Sequence, residues 1–295
     1  MPPMDFLAPT SLAEALAAKA EHPDAVPVAG GTDVMVAINF DHRRPPALLD
    51  LTRVPELAAW EHDGGRVRLG AGVTYTRVID ELGGALPGLA MAARTVGSPQ
   101  IRNRGTVGGN LGSASPAGDS HPALLATDTD VEVASARGVR TVPIAEFFTG
   151  VKRSALAPDE LITAVLVTPP AGPQQYSKIG TRNAMVIAVA AFGIALHPDT
   201  RTVGTGIGSA APTPRRAPEA GAFLAGELEA AGLWDSRGEL PEPLAAEFGR
   251  RVRDAASPID DVRGTAAYRR HTLSVMARRA ALWAWSSYQH DRSAA

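Results

Sequence analysis

The chain has 295 residues, 45% apolar and 20% charged, the balance of a globular protein of about two domains rather than of a disordered one. Twenty-nine Lys and Arg against 31 Asp and Glu leave a net charge of −2, which excludes a broadly basic nucleic-acid surface and favours a small-molecule ligand. With no cysteine, the chain cannot by itself form a disulfide, a thiolate nucleophile, or an iron–sulfur or cysteine–zinc site.

The opening MPPMDFLAPT has neither a basic start nor an apolar h-region, so no secretory signal is expected and a cytoplasmic location is. Ser11, with Glu14 three positions on and an Ala-rich body, predicts a helix over 11–21. Val26–Ala29 reads as a strand running into Gly30-Gly31, after which Thr32-Asp33 can cap a helix carrying Val34, Met35 and Ile38. A short strand follows at 48–51. Leu57–Trp60 and Val67–Ala71 read as a hairpin across Asp63-Gly64-Gly65. Helices are expected over 74–82 and 87–95, and a long glycine-rich loop over 97–119.

Further on, Val131–Val133 and Val139–Val142 form a second hairpin, and Leu161–Val167 a strand. The Pro169–Pro173 cluster reads as a linker. Strands are expected at 176–179, 186–196 and 202–206, and helices at 215–227, 242–256 and 261–287, an α+β arrangement. The longest apolar stretch, Met185–Leu196, falls short of the roughly 20 residues a membrane helix needs and reads as a buried strand, so no membrane span is expected. Gly204, Gly206 and Gly208 alternate as in a close-packed strand. The helix at 261–287 is basic on one side (Arg263, Arg269, Arg270, Arg278, Arg279) and apolar on another (Leu273, Met276, Ala280, Trp283), and is expected to pack on its own domain.

Two double-glycine turns carry the candidate chemistry: Ala29-Gly30-Gly31-Thr32-Asp33-Val34, and Thr106-Val107-Gly108-Gly109-Asn110. Each can bring backbone N–H groups close to a phosphate, because glycine has no Cβ in the way and a helix start adds unpaired donors. The plain alternative is that these glycines only turn the chain. Neither a G-x-G-x-x-G nor a G-x-x-x-x-G-K-[ST] motif occurs in a nucleotide-binding context, and there is no G-x-S-x-G or H-E-x-x-H. The seven histidines are scattered singly, so no metal site is expected. Arg102 and Arg104 flank the second turn. Asp119 is placed either for a ribose hydroxyl or as the cap of a helix over 120–126.

Taken together, AGGTDV at 29–34, TVGGNLGSASPAGD at 106–119 and QQYSKIGTR at 174–182 resemble the FAD-binding medium subunit of the molybdenum hydroxylases, the carbon monoxide dehydrogenase and xanthine dehydrogenase family. FFTGVKRSALAPDELIT at 147–163, IGSAAPTPRRA at 207–217 and DVRGTAAYRRHTLSVMARRAA at 261–281 carry the likeness through the chain. The resemblance implies an α+β protein. A two-part FAD-binding domain of the vanillyl-alcohol oxidase and CO dehydrogenase flavoprotein type would occupy 1–172, with parts at about 1–55 and 56–172, and a smaller α+β domain 173–295. It implies noncovalent FAD, with the diphosphate held by Ala29, Gly30, Gly31, Thr32, Asp33 and Val34 and by Thr106, Gly108, Gly109 and Asn110, Ser113 adding a hydroxyl. Asp119 matches the acidic residue on the sugar or adenine side, Ile162 an apolar residue against a ring, and Lys178 a lysine near the isoalloxazine.

The resemblance further implies an electron-transfer subunit of an oxidoreductase, partnered by a small iron–sulfur subunit with [2Fe–2S] clusters and a large subunit with the molybdenum cofactor. That division of labour accords with a chain that has no cysteine. Gly112-Ser113 stands where many relatives have Cys-Asn, and Val186 where several have an acidic residue, which leaves the terminal acceptor open. Two other readings remain: a stand-alone FAD-dependent oxidase or reductase on the same scaffold, and an assembly subunit without flavin.

Overall fold

A computed structural model describes residues 4–290, which form two compact units, each drawn from more than one stretch of chain. Among the described residues the first comprises 4–78, 97–115 and 129–167, and the second 79–96, 116–128 and 168–290.

The first unit begins with a small sheet of β1 (Asp5–Leu7), β2 (Val26–Val28) and β3 (Ala47–Asp50), in the order β1-β3-β2 and parallel throughout. Parallel neighbours need crossovers, supplied by α1 (Leu12–Glu21) and α2 (Val34–Asn39). Ser11 caps α1, accepting from the Glu14 N–H at 3.2 Å, while the Glu14 carboxylate accepts from the Thr10 N–H at 2.7 Å. Alternation divides β3 between two cores. Ala47 and Leu49 join Ala15, Leu57 and Leu161, whereas Leu48 joins Val26 and Ile38.

A second sheet has the order β4-β5-β10-β6-β7, formed by β4 (Trp60–Asp63), β5 (Arg66–Gly70), β6 (Asp128–Ser135), β7 (Gly138–Pro143) and β10 (Leu161–Thr168). Gly64 and Gly65 turn the β4–β5 hairpin at φ +54° and +85°, values that favour glycine. Residues 57–59, expected in that hairpin, belong instead to the short helix α3 (Pro55–Ala58) and its exit. Arg66 and Arg68 reach past β10 to Asp130 (2.9 Å) and Glu132 (2.7 Å). The unit also holds the first turn of α4 (Tyr75–Glu81), α6 (Pro99–Arg102), α7 (Val107–Ser113), α9 (Ile144–Phe147) and the β8–β9 pair (Phe148–Gly150, Arg153–Ser154).

In the second unit, β11 (Gln174–Ile179), β12 (Ala190–His197) and β13 (Thr202–Gly208) form an antiparallel meander. One face is pared to glycine so that α8 (Ser120–Ala126) can lie directly on it. A Cβ on Gly206 would stand 2.1 Å from the Pro122 carbonyl oxygen, and one on Gly204 1.8 Å from that of Ala126. Helix α5 (Pro87–Arg94) also packs on β11. The other face carries Phe192, Ile194, Leu196, Val203 and Ile207 into a core with α10 (Pro218–Ala230), α11 (Leu233–Ser236), α12 (Glu242–Asp254) and α13 (Ala266–His290).

Helix α13 packs on its own unit through Leu273, Met276, Ala277, Ala280 and Ala284. Trp283, expected on that apolar side, is half exposed, and Trp285 is the buried tryptophan, against Trp234 and Tyr288. Buried Arg269 anchors the helix start, donating to the carbonyls of Val189 (3.0 Å) and Ser209 (2.5 Å) and pairing with Asp261.

Candidate cofactor site

The expected loop over 97–119 is interrupted by two short helices, α6 and α7, and for α7 the reason is packing. Thr106 caps α7, its Oγ1 accepting from the Gly109 N–H at 2.9 Å. Gly108 presses the helix onto Ala71 so closely that an added Cβ would lie 2.4 Å from the Ala71 Cβ and 2.6 Å from its carbonyl oxygen. This contact overrides the low helix propensity of VGGNLGS.

The two glycine turns lie side by side within the first unit. A Cβ on Gly30 would overlap the Arg104 carbonyl oxygen at 1.9 Å, and one on Gly109 would stand 3.8 Å from the Ala29 Cβ. Gly31 bends the first turn at φ +73°, and Asp33 occupies the cap position of α2 without a side-chain cap bond. The decisive feature is the state of the donors. Among the described residues, the backbone N–H groups of Gly30, Gly31, Thr32, Asp33 and Val34 have no acceptor within the chain. Consecutive unpaired N–H groups on a glycine turn form an anion-binding concavity.

The second turn departs from the expectation that its N–H groups face a phosphate. Val107 donates to Val73, Gly108 to Ala71, Gly109 to Thr106 Oγ1 and Asn110 to the Thr106 carbonyl. The Ser113 hydroxyl donates to the Asn110 carbonyl at 3.0 Å. What this turn offers is a bare helix face. Gly109 and Gly112 are exposed, and the nearest atom to a Cβ on Gly112 is Ile162 Cδ1 at 3.8 Å. A flat ligand can approach there, bordered by Ala29 and Ile162, with the free donors of 30–34 on the neighbouring turn. These residues fit an anionic dinucleotide such as FAD.

The remaining two expected residues, Asp119 and Lys178, meet each other in the second unit. Asp119 precedes α8 but makes no side-chain cap bond. Its Oδ2 accepts from Lys178 Nζ at 2.7 Å, Lys178 also donates to the Thr95 carbonyl at 3.1 Å, and the Tyr176 hydroxyl lies 3.5 Å from Asp119 Oδ1. The lysine and aspartate side chains are 6% and 12% exposed. Burial pushes the Asp119 carboxyl above its ordinary range, opposed by the Lys178 ammonium and the Tyr176 hydroxyl.

Sequence reasoning missed Tyr176 and Thr95, and marked Gly112 only as a departure from the family's Cys-Asn. Tyr176 was findable, because a residue two positions from Lys178 on a strand shares its face. Gly112 lies three positions from Gly109 on one helix. Thr95 contributes only a carbonyl, which no side-chain pattern reports. Among the described residues, no His, Cys, Asp and Glu cluster could hold a metal, and no helix is long and apolar enough to cross a membrane.

A mixed sheet scaffold bearing a glycine turn of free donors defines a protein built to hold an anionic, flat cofactor. Comparison with known proteins gives its family. Residues 2–170 match the FAD binding domain in molybdopterin dehydrogenase, and residues 175–284 the CO dehydrogenase flavoprotein C-terminal domain. The chain is 31% identical to the nicotine 6-hydroxylase medium subunit of Paenarthrobacter nicotinovorans over 95% of its own length and 96% of that protein's. It is 34% identical to the nicotinate dehydrogenase FAD-subunit of Eubacterium barkeri, over 70% and 72% of the two chains. It superposes on a chain of carbon monoxide dehydrogenase from Hydrogenophaga pseudoflava with a TM-score of 0.85 at 28% identity, covering 98% and 99% of the two chains. The protein therefore belongs to the family of FAD-binding subunits of molybdenum hydroxylase-type dehydrogenases, a family of oxidoreductases.

Proposed function

We propose that this chain is the FAD-carrying electron-transfer subunit of a molybdenum hydroxylase-type complex, working between [2Fe–2S] clusters on a small partner subunit and a terminal acceptor, with the molybdenum cofactor on a large partner subunit. The observation that carries the reading is the row of N–H groups at Gly30–Val34 with no acceptor in the chain, beside the bare Gly109 and Gly112 face. In this reading the first turn donates to the cofactor diphosphate. Thr106, Gly109, Asn110 and Ser113 border it, Gly108 seats their helix, and Ile162 offers an apolar wall. The Asp119–Lys178 pair is a buried, charge-balanced cluster of the second unit.

Bound there, FAD supplies two-electron and one-electron redox chemistry, which no side-chain group of this chain provides. The protein's own part is to bind, orient and shield. The absence of cysteine supports clusters held by a partner rather than by this chain, and the two family matches support a cofactor domain over 1–172 and a C-terminal domain over 173–295.

The test is co-expression with candidate small and large subunits followed by size-exclusion chromatography. The proposal expects one species in which this chain and its flavin elute with both partners. A flavin-loaded chain that elutes alone and turns over NADH or another donor unaided would contradict it and favour a stand-alone flavoenzyme.

A further inference from the structure

The second unit carries a groove of about 430 Å³ between β11 and the outward stripe of α13, lined by Ser177, Ile179, Tyr268, His271, Val275 and Arg279 and ending at Trp283. Lys178, whose Nζ pairs with Asp119, also lines it, so the groove borders the Asp119 cluster. Tyr176 and Lys178 turn to one side of β11, towards Asp119, and alternation sends Ser177 and Ile179 to the other, where Ile179 packs with the α13 core.

Three observations point to its occupant. Its aromatic residues stand in water, Tyr268 45% and Trp283 50% exposed, and the approach to α13 adds exposed Ile259 and Val262. A small-molecule pocket encloses its aromatic walls, whereas here both rings stay about half open to solvent. The stripe is long: Tyr268 to Trp283 spans about 22 Å of helix, the length of roughly six or seven residues of extended chain. Its charge has one sign. No carboxylate lines the groove, and α13 contains no Asp or Glu. Arg269 is taken by Asp261 and Arg278 by Glu242, but among the described residues Arg279 has no ion pair.

We propose that this groove docks an extended acidic segment of a partner polypeptide, an apolar or aromatic side chain of that segment lying on Val275 between Tyr268 and Trp283 and a carboxylate pairing with Arg279. The inference is independent of whether the chain holds FAD.

The test titrates the full-length chain with the synthetic peptide Glu-Asp-Phe-Asp-Leu-Glu and with a counterpart in which lysine replaces every acid. Tryptophan emission is the readout, assigned to Trp283 by its loss in Trp283→Phe. Saturable binding of the acidic peptide, weakened at least tenfold by Arg279→Glu and by added salt, with flavin content and melting temperature unchanged, is the expected result. Failure to saturate below millimolar peptide, equal binding of the lysine peptide, or binding untouched by Arg279→Glu would overturn the proposal. So would displacement by sodium 2-naphthoate at an affinity equal to the peptide's, which would make the groove a small-anion pocket. Loss of flavin from Arg279→Glu would reassign the groove to the cofactor site, and also counts against it.

Discussion

Two glycines on one short helix are expected to respond oppositely to the same substitution. Replacing glycine by alanine inside a helix ordinarily gains about 1 kcal/mol. At Gly108 the new Cβ would meet Ala71 Cβ, O and Cα at 2.4, 2.6 and 2.7 Å, and none of these atoms can rotate away. The strain then sits at the top of the overpacking range, about 3 kcal/mol, for a net loss of about 2 kcal/mol. At Gly112 the nearest atom is Ile162 Cδ1 at 3.8 Å, an ordinary contact, so the helix gain of about 1 kcal/mol survives. For a chain of this size the shifts are about 4–8 °C downward for Gly108→Ala and about 2–4 °C upward for Gly112→Ala. The assay is thermal unfolding of flavin-free protein, with FAD affinity measured separately by fluorescence quenching. The reading of a bare docking face adds a second expectation, that Gly112→Ala binds FAD at least tenfold more weakly despite its greater stability. A stabilised Gly108→Ala, or a Gly112→Ala that keeps wild-type FAD affinity, would refute the argument.

Other consequences follow from the buried charges. Lys178→Met leaves Asp119 buried without its cation and is expected to cost about 3–5 kcal/mol, with Lys178→Met/Asp119→Asn recovering much of it; additive single costs in chemical denaturation would contradict the pairing. Arg269→Met strips the Val189 and Ser209 carbonyls of their donor and Asp261 of its partner, an expected loss of about 3 kcal/mol by denaturation, and a value below about 1 kcal/mol would show that α13 is anchored otherwise. Glu160 accepts two bonds from Arg140, each 2.7 Å, which hold its carboxyl below the ordinary range. Its contribution is therefore present above the unfolded value of about 4.3 and lost as pH falls through the lower folded value. Glu160→Gln should flatten the acid limb of stability against pH, and an unchanged limb would contradict this. Asp119 has the opposite sign: burial raises its folded value, so stability declines as pH rises from about 3.9 through that raised value.

Much of the fold was legible because its signals were local. Ser11 with Glu14, the Gly64-Gly65 turn and the alternating glycines of β13 each reported one element through one mechanism. The loop at 97–119 misled because glycine density reads as irregular backbone. Gly108 is there to let α7 touch Ala71, a partner far away in sequence. Trp283 misled because a 25-residue helix packs along a stripe whose position a single tryptophan cannot fix, and Trp285 is the one buried. In the candidate site the turns themselves could be read, but their donors could not. That 30–34 keeps its N–H groups free while 107–110 uses them up depends on the carbonyls of Val73 and Ala71, which no motif records.

The most direct measurement of the central claim is the absorbance spectrum of the purified chain, followed by heat release and chromatography of its cofactor. The account predicts flavin bands near about 370 and 450 nm and close to one free FAD per chain. A colourless protein that takes up no added FAD would contradict it.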